Sequence, residues 1–166
     1  MAAPLSFRFL FRIRYHECDA QKIVFNARWG EYVDLASTEY TRRLFGSVDP
    51  EVSGIDWRLV RQTIEWKAPG RFDEVIEARV HTVRVGTTSF TLATEFVRWP
   101  DSAPLVTAET VYVATHPTTG TKQPVSDEHR HKLEAGAAEI VVDHAGSEGV
   151  GQHLIARSRS TVPGDG

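Results

Sequence analysis

Phe7-Arg8-Phe9-Leu10-Phe11-Arg12-Ile13-Arg14-Tyr15 puts Phe7, Phe9, Phe11, Ile13 and Tyr15 on one side of an extended chain and mostly arginines on the other. That two-residue period predicts a half-buried β-strand. After a short polar segment, Trp29, Tyr32, Val33, Ala36, Tyr40 and Leu44 recur at steps of three and four, the stripe of a helix with one buried side. Asn26 stands where an N-cap belongs and Gly46 where a left-handed C′ residue belongs, so the helix spans about five turns.

From Trp57 to His116 the pattern is strand throughout, in four segments near 57–68, 73–85, 88–99 and 105–116. They are broken at Ala68-Pro69-Gly70-Arg71, Gly86-Thr87 and Pro100-Asp101-Ser102-Ala103-Pro104, which supply special φ values or remove ladder donors. Short links between long neighbours predict an antiparallel meander. A single sheet has a whole apolar face to bury, and one long striped helix is available to cover it. The expectation is an α+β domain over residues 1–135, with one helix wrapped by a curved five-stranded antiparallel sheet. Ser126 to Ala135 reads as a short helix with a Ser N-cap. The residues from 136 to 166 are rich in Gly, Ala, Ser and charge, with small apolar patches at Ile140-Val141-Val142 and Leu154-Ile155, and predict a flexible tail.

Composition narrows the function. The chain has 166 residues, 41% hydrophobic and 25% charged, with a formal net charge of −3. Such a balance offers no strong field for nucleic-acid phosphates or an anionic membrane. One cysteine, Cys18, allows no intramolecular disulfide and no cysteine-rich zinc site, which fits a reducing, cytoplasmic setting. Neither a secretory signal pattern nor an apolar run long enough to span a bilayer is evident, so no membrane insertion is expected.

The chemistry is sought between strand and helix. An acid just past the strand, Asp19, can sit beside the free N–H groups of the helix's first turn, which can stabilise a developing oxyanion. Asp19 would then act on a carbonyl carbon as nucleophile or as general base for water, while amides near Phe25 and Asn26 polarise the oxygen. A thioester suits this arrangement, because a thiolate leaves readily and asks little of a general acid. His16 and Cys18 share a side of an extended chain, yet no third group orients them as a nucleophilic pair. His16-Glu17-Cys18-Asp19 diverge to opposite faces, which does not suit a metal.

The run Arg14 to Trp29, followed by Glu31-Tyr32 and Ala36-Ser37-Thr38-Glu39-Tyr40, resembles the signature of the 4-hydroxybenzoyl-CoA thioesterase-like branch of the hotdog-fold superfamily. Thr63 to Pro69 with Phe72-Asp73-Glu74, Val85 to Phe90, and Ala108 to Val113 extend the likeness in order across about residues 7 to 130. The resemblance implies a hotdog fold, sheets joined into a homodimer or homotetramer, and an active site shared between subunits. It also implies acyl-CoA thioester hydrolysis without metal or cofactor. The catalytic acid maps to Asp19 and the backbone oxyanion donor lies near Phe25. Relatives commonly carry glycine where this chain has Gln21-Lys22, so a left-handed turn there would strain Lys22 by roughly 1 kcal/mol.

For coenzyme A, Thr87, Thr88 and Ser89 in the Gly86 turn can present N–H and hydroxyl donors, with Arg71, Arg84 and Lys122 as nearby cations and Trp29, Tyr32 and Trp66 as pocket aromatics. Helical carboxylates such as Glu39 are minor candidates. Two other readings fit the same fold. One is a protein that binds acyl-CoA or acyl carrier protein without hydrolysis; the other is a hydratase or dehydratase, disfavoured because Asn26 stands where a histidine is wanted.

Overall fold

The computed structural model describes residues 6–146. Strands β1 (Phe7–Arg12), β2 (Asp56–Trp66), β3 (Val75–Val85), β4 (Ser89–Arg98), β5 (Pro104–Thr115) and β6 (Val141–Asp143) form one sheet in the order β2-β5-β4-β3-β1-β6. Every ladder is antiparallel except β1 with β6. Helices α1 (Arg28–Phe45), α2 (Pro50–Ser53) and α3 (Asp127–Ala135) complete the chain. The hotdog architecture is therefore present, with the four meander strands within two residues of their predicted bounds.

Helix α1 lies on one face of the sheet because that face is where its stripe can be buried. Trp29, Tyr32, Val33, Ala36 and Tyr40 are all buried. Phe11 meets Tyr32 with ring centroids 4.7 Å apart, Phe7 meets Tyr40 at 5.7 Å, and Phe96 meets Trp29 at 5.3 Å. Full burial of each such side chain contributes about 1.5–3 kcal/mol. Gly46 ends the helix in the left-handed region at φ 79°, its N–H donating to Arg42 O. Register shifts between Leu59 and Arg61, Thr82 and Arg84, and Phe96 and Val97 let the sheet bend around the helix.

Four expectations are corrected. The sheet has six strands, because part of the predicted tail is folded: β6 runs parallel to β1, with Arg8 opposite Val141. Val142 and Ala145 are buried, and Ala145 with Val141, Val75 and Trp99 covers Leu10 on the face turned away from α1. Leu10 explains this, since it breaks the arginine row of β1 and leaves an apolar side chain to cover. The Leu154-Ile155 patch lies outside the described residues. Strand β1 stops at Arg12, and Tyr15 begins a 3-10 turn through Glu17 with its ring 81% exposed. Finally, α1 begins at Arg28 with Ala27, not Asn26, at the N-cap, and no side chain caps it.

On the outer face, Glu77 is fully buried between Arg8 and Arg79, accepting from Arg8 Nε at 2.8 Å, Arg8 Nη2 at 2.7 Å and Arg79 Nε at 2.7 Å. Burial alone would raise the Glu77 pKa, but the two guanidinium groups hold it below the ordinary carboxylate range. Two cations on one buried carboxylate satisfy its lone pairs where an unpaired charge would be intolerable.

Candidate active site

The segment from Arg14 to Arg28 folds back on itself as a small two-stranded loop. Cys18 bridges Val24, Asp19 N–H donates to Ile23 O at 2.9 Å, and Phe25 N–H donates to Glu17 O at 3.0 Å. At the tip, Lys22 N–H donates to Asp19 O at 2.9 Å, and Gln21 N–H donates to the Asp19 carboxylate at 2.8 Å. Closing so tight a tip forces Lys22 to φ 61°, the left-handed conformation anticipated from the missing glycine. The loop is stitched to the β2–β3 connection, where Val24 N–H donates to Gly70 O at 2.9 Å and Ile23 bridges Arg71. Gly70 allows a close approach there: a Cβ would lie 3.0 Å from Ile13 Cδ1 and 3.3 Å from the Trp29 ring, so one of those side chains would have to shift.

Asp19 is half-buried on this loop, which leads directly into α1. Phe25's amide is engaged with Glu17 O and so is not a free oxyanion donor here. The amides of Asn26 and Ala27 have no partner among the described residues. They open onto the positive end of an 18-residue helix, where developing negative charge is favoured. Asn26 itself is exposed, and Phe25 is 53% exposed beside it.

A buried anchor fixes the loop from below. Glu17 is 4% exposed and accepts from the Arg14 amide at 2.6 Å, Arg14 Nε at 2.9 Å and Arg14 Nη2 at 2.6 Å. Burial pushes its pKa up, but the Arg14 guanidinium and amide outweigh this and leave it lowered. Tyr32 from α1 has its hydroxyl buried nearby with no partner in hydrogen-bond geometry among the described residues. Burial, and then the Glu17 carboxylate, push the Tyr32 pKa up. Burial first, then the charges of Glu17 and Asp19, also push the Cys18 thiol up, the opposite of what an activated nucleophile needs.

Of the other predicted residues, Arg71 is brought to the loop by its pairing with Ile23. Trp29 is 2% exposed and packs in the core against Gly70, Tyr32 and Phe96, so in this subunit it supports the site from beneath and is not a pocket wall. Arg84, Thr87, Thr88 and Ser89 lie at the far end of β3, about 33 Å from the Arg71 end. There Arg130 donates to Val85 O and Gly86 O, Val125 N–H to Thr87 O and Ala114 N–H to Thr88 O. Lys122 is near that end too, bridging Thr115. A single subunit does not bring these residues to Asp19.

The sequence pattern of the thioesterase superfamily matches residues 21–102. Residues 21–102 thus form a thioesterase superfamily domain. Its reaction class is accordingly thioester hydrolysis. The matched residues begin after Asp19. No curated protein matches the chain at a significant level. Among solved structures, it resembles a thioesterase superfamily protein from Jannaschia sp. CCS1 at 18% identity and TM-score 0.75, over 82% of this chain and 96% of that one. It also resembles a 1,4-dihydroxy-2-naphthoyl-CoA thioesterase from Synechocystis at 15% identity and TM-score 0.69, over 77% and 95%. A gentisyl-coenzyme A thioesterase matches at 20% identity and TM-score 0.66, over 76% and 98%. At such identities the superpositions establish the fold that this chain shares with them. Among the described residues no helix is long and apolar enough to cross a membrane, and no cluster of three potential metal ligands occurs.

Glu17 and Ala27 went unread in the sequence. Glu17 looked like one of four diverging polar residues. Its spacing of three from Arg14 was a usable signal, since a capping-box geometry across one turn closes both ends of the 3-10 segment.

Proposed function

We propose that the protein hydrolyses an acyl- or aroyl-coenzyme A thioester to the free acid and coenzyme A, with Asp19 acting as nucleophile or as general base for water. What supports this reading is that the loop carrying Asp19 leads directly into the α1 N-terminus, where the amides of Asn26 and Ala27 have no partner among the described residues. The carbonyl oxygen of the thioester would lie against those amides and the carbon would face Asp19. As the carbon becomes tetrahedral, charge moves onto the oxygen and is stabilised by N–H groups already in place. The thiolate of coenzyme A then departs with its electron pair and needs no strong acid.

The complete site is proposed to need two subunits. Among the described residues strand β2 has a neighbour only on its β5 side, and Leu59, Val60 and Trp66 along it are each at least half exposed. An edge of that kind invites pairing with a second copy. Antiparallel pairing of β2 with a partner's β2 sets the Trp66 end of one subunit against the Asp56 end of the other. The Trp66 end leads to Gly70 and the Asp19 loop; the Asp56 end pairs with Thr115, next to the 86–89 turn. A homodimer of this form would bring the partner's Thr87, Thr88 and Ser89 to the substrate cleft, with Arg84 at its rim.

The test is release of free thiol from short, long, branched and aromatic acyl-CoAs. Steady turnover on at least one is expected. Thermal stabilisation by acyl-CoA with no thiol released over hours would instead make this a binding protein for acyl-CoA or acyl carrier protein.

A further inference from the structure

Next to the Asp19 loop lies an exposed corner that the reaction as described does not use. Tyr15 is 81% exposed and Phe72 51% exposed, and their rings meet edge to face with centroids 6.0 Å apart. Two cations flank them, Lys22 and Arg71, both exposed. Neither side chain makes an ion pair or hydrogen bond to another described residue. The acids close by are already engaged: Asp73 pairs with Arg12 at 3.2 Å and Glu74 with Arg98 at 3.0 Å, while Glu74 also accepts the Arg71 amide. Asp19, on the same loop, pairs with no cation either, so the corner holds two unpaired cations against one unpaired carboxylate and keeps a net positive charge. Moreover, Lys22 keeps its cation at a φ of 61°, a conformation that costs a side-chain-bearing residue and is found where a site requires it.

We infer that this corner binds the nucleotide end of coenzyme A, with Tyr15 and Phe72 offering ring faces to the adenine and Lys22 and Arg71 neutralising its phosphates. The inference rests on the thioesterase reading and names the part of the substrate that the loop recognises. Its geometry suits a long arm. Asp19 stands opposite Ile23, and Ile23 stands opposite Arg71, so Arg71's backbone is two strand spacings, roughly 10 Å, from Asp19. An arginine side chain extended from there can reach further still. A group so placed is too far out to touch the thioester and can meet what lies at the other end of the pantetheine arm. Exposed aromatic faces combined with unpaired cations form a common way to hold a base and its phosphates.

The experiment compares one acyl group on two carriers, full coenzyme A and the truncated N-acetylcysteamine thioester, which has no nucleotide. Tyr15→Ala, Phe72→Ala, Lys22→Gln and Arg71→Gln are measured against the unmodified protein, with Arg84→Gln as the rival cation. For each ring variant kcat/KM with acyl-CoA should fall roughly 5- to 150-fold, the range for loss of one base-stacking contact. For each cation variant it should fall more steeply at low salt than at high salt. The truncated thioester should be turned over by the four corner variants at the unmodified rate. Equal losses on both carriers would show a structural role and overturn the inference; so would no loss on either, or a nucleotide-specific loss in Arg84→Gln alone. Failure of the unmodified protein to hydrolyse both carriers would be a different result, removing the thioesterase reading itself.

Discussion

Replacing Glu17 by Gln should destabilise the protein by about 2 kcal/mol, the scale of a lost charge-assisted hydrogen-bond set. Glu17 makes three short contacts to Arg14 and is itself buried, but Arg14's side chain is 65% exposed. Water can therefore re-solvate the arginine, and the 3–5 kcal/mol typical of breaking a fully buried pair is not reached. Gln keeps one acceptor for the Arg14 amide and turns an NH2 toward a guanidinium, so part of the network survives. For a chain of this size about 2 kcal/mol corresponds to a Tm lower by roughly 4–8 °C. Urea unfolding should show a lower midpoint with the slope unchanged. The pH dependence adds a second check. The folded pKa of Glu17 lies below its ordinary value, so its contribution is present above the unfolded pKa and is lost as pH falls through the folded one. The gap between wild type and Glu17→Gln should be full at neutral pH and close in acid. Equal stability at neutral pH, or a gap that widens in acid, would refute the role given to this carboxylate.

Lys22→Gly should raise stability by about 1 kcal/mol, seen as an increase in Tm, because glycine adopts φ 61° without the Cβ penalty. Val142→Asp should cost at least about 2 kcal/mol in urea unfolding by placing a charge in the main core, where Val142 stands opposite Phe9; an unchanged midpoint would mean that β6 is not part of the cooperative fold. Val60→Glu together with Leu59→Lys on the free edge of β2 should convert the protein to monomers in sedimentation, with activity falling in parallel if the 84–89 turn serves the partner's site.

Much of this was legible in the sequence because the signals were local. The alternation in β1, the α1 stripe and the Gly46 stop each depend on residues that meet their own neighbours, and the missing glycine at Lys22 foretold a strained turn. What escaped depends on contacts distant in sequence. β6 is three residues long and is held by Leu10, far back in the chain, so its composition reads as tail. Asn26 has the chemistry of an N-cap, but the bond from Arg28 N–H to Phe25 O sets the helix start one residue later. Phe25's amide was expected to be free, and the fold-back onto Glu17 O consumes it. The distance between Asp19 and the 84–89 turn is set by the length of β3 and shows only once the sheet is assembled.

Asp19 is the residue on which the functional account stands. Asp19→Asn preserves the size of the side chain and its hydrogen bond from the Gln21 amide while removing the carboxylate's basicity and nucleophilicity. In a thiol-release assay on the best acyl-CoA substrate, kcat should fall roughly 100-fold or more, with Tm retained. Turnover by the folded Asn variant at the wild-type rate would contradict the assignment.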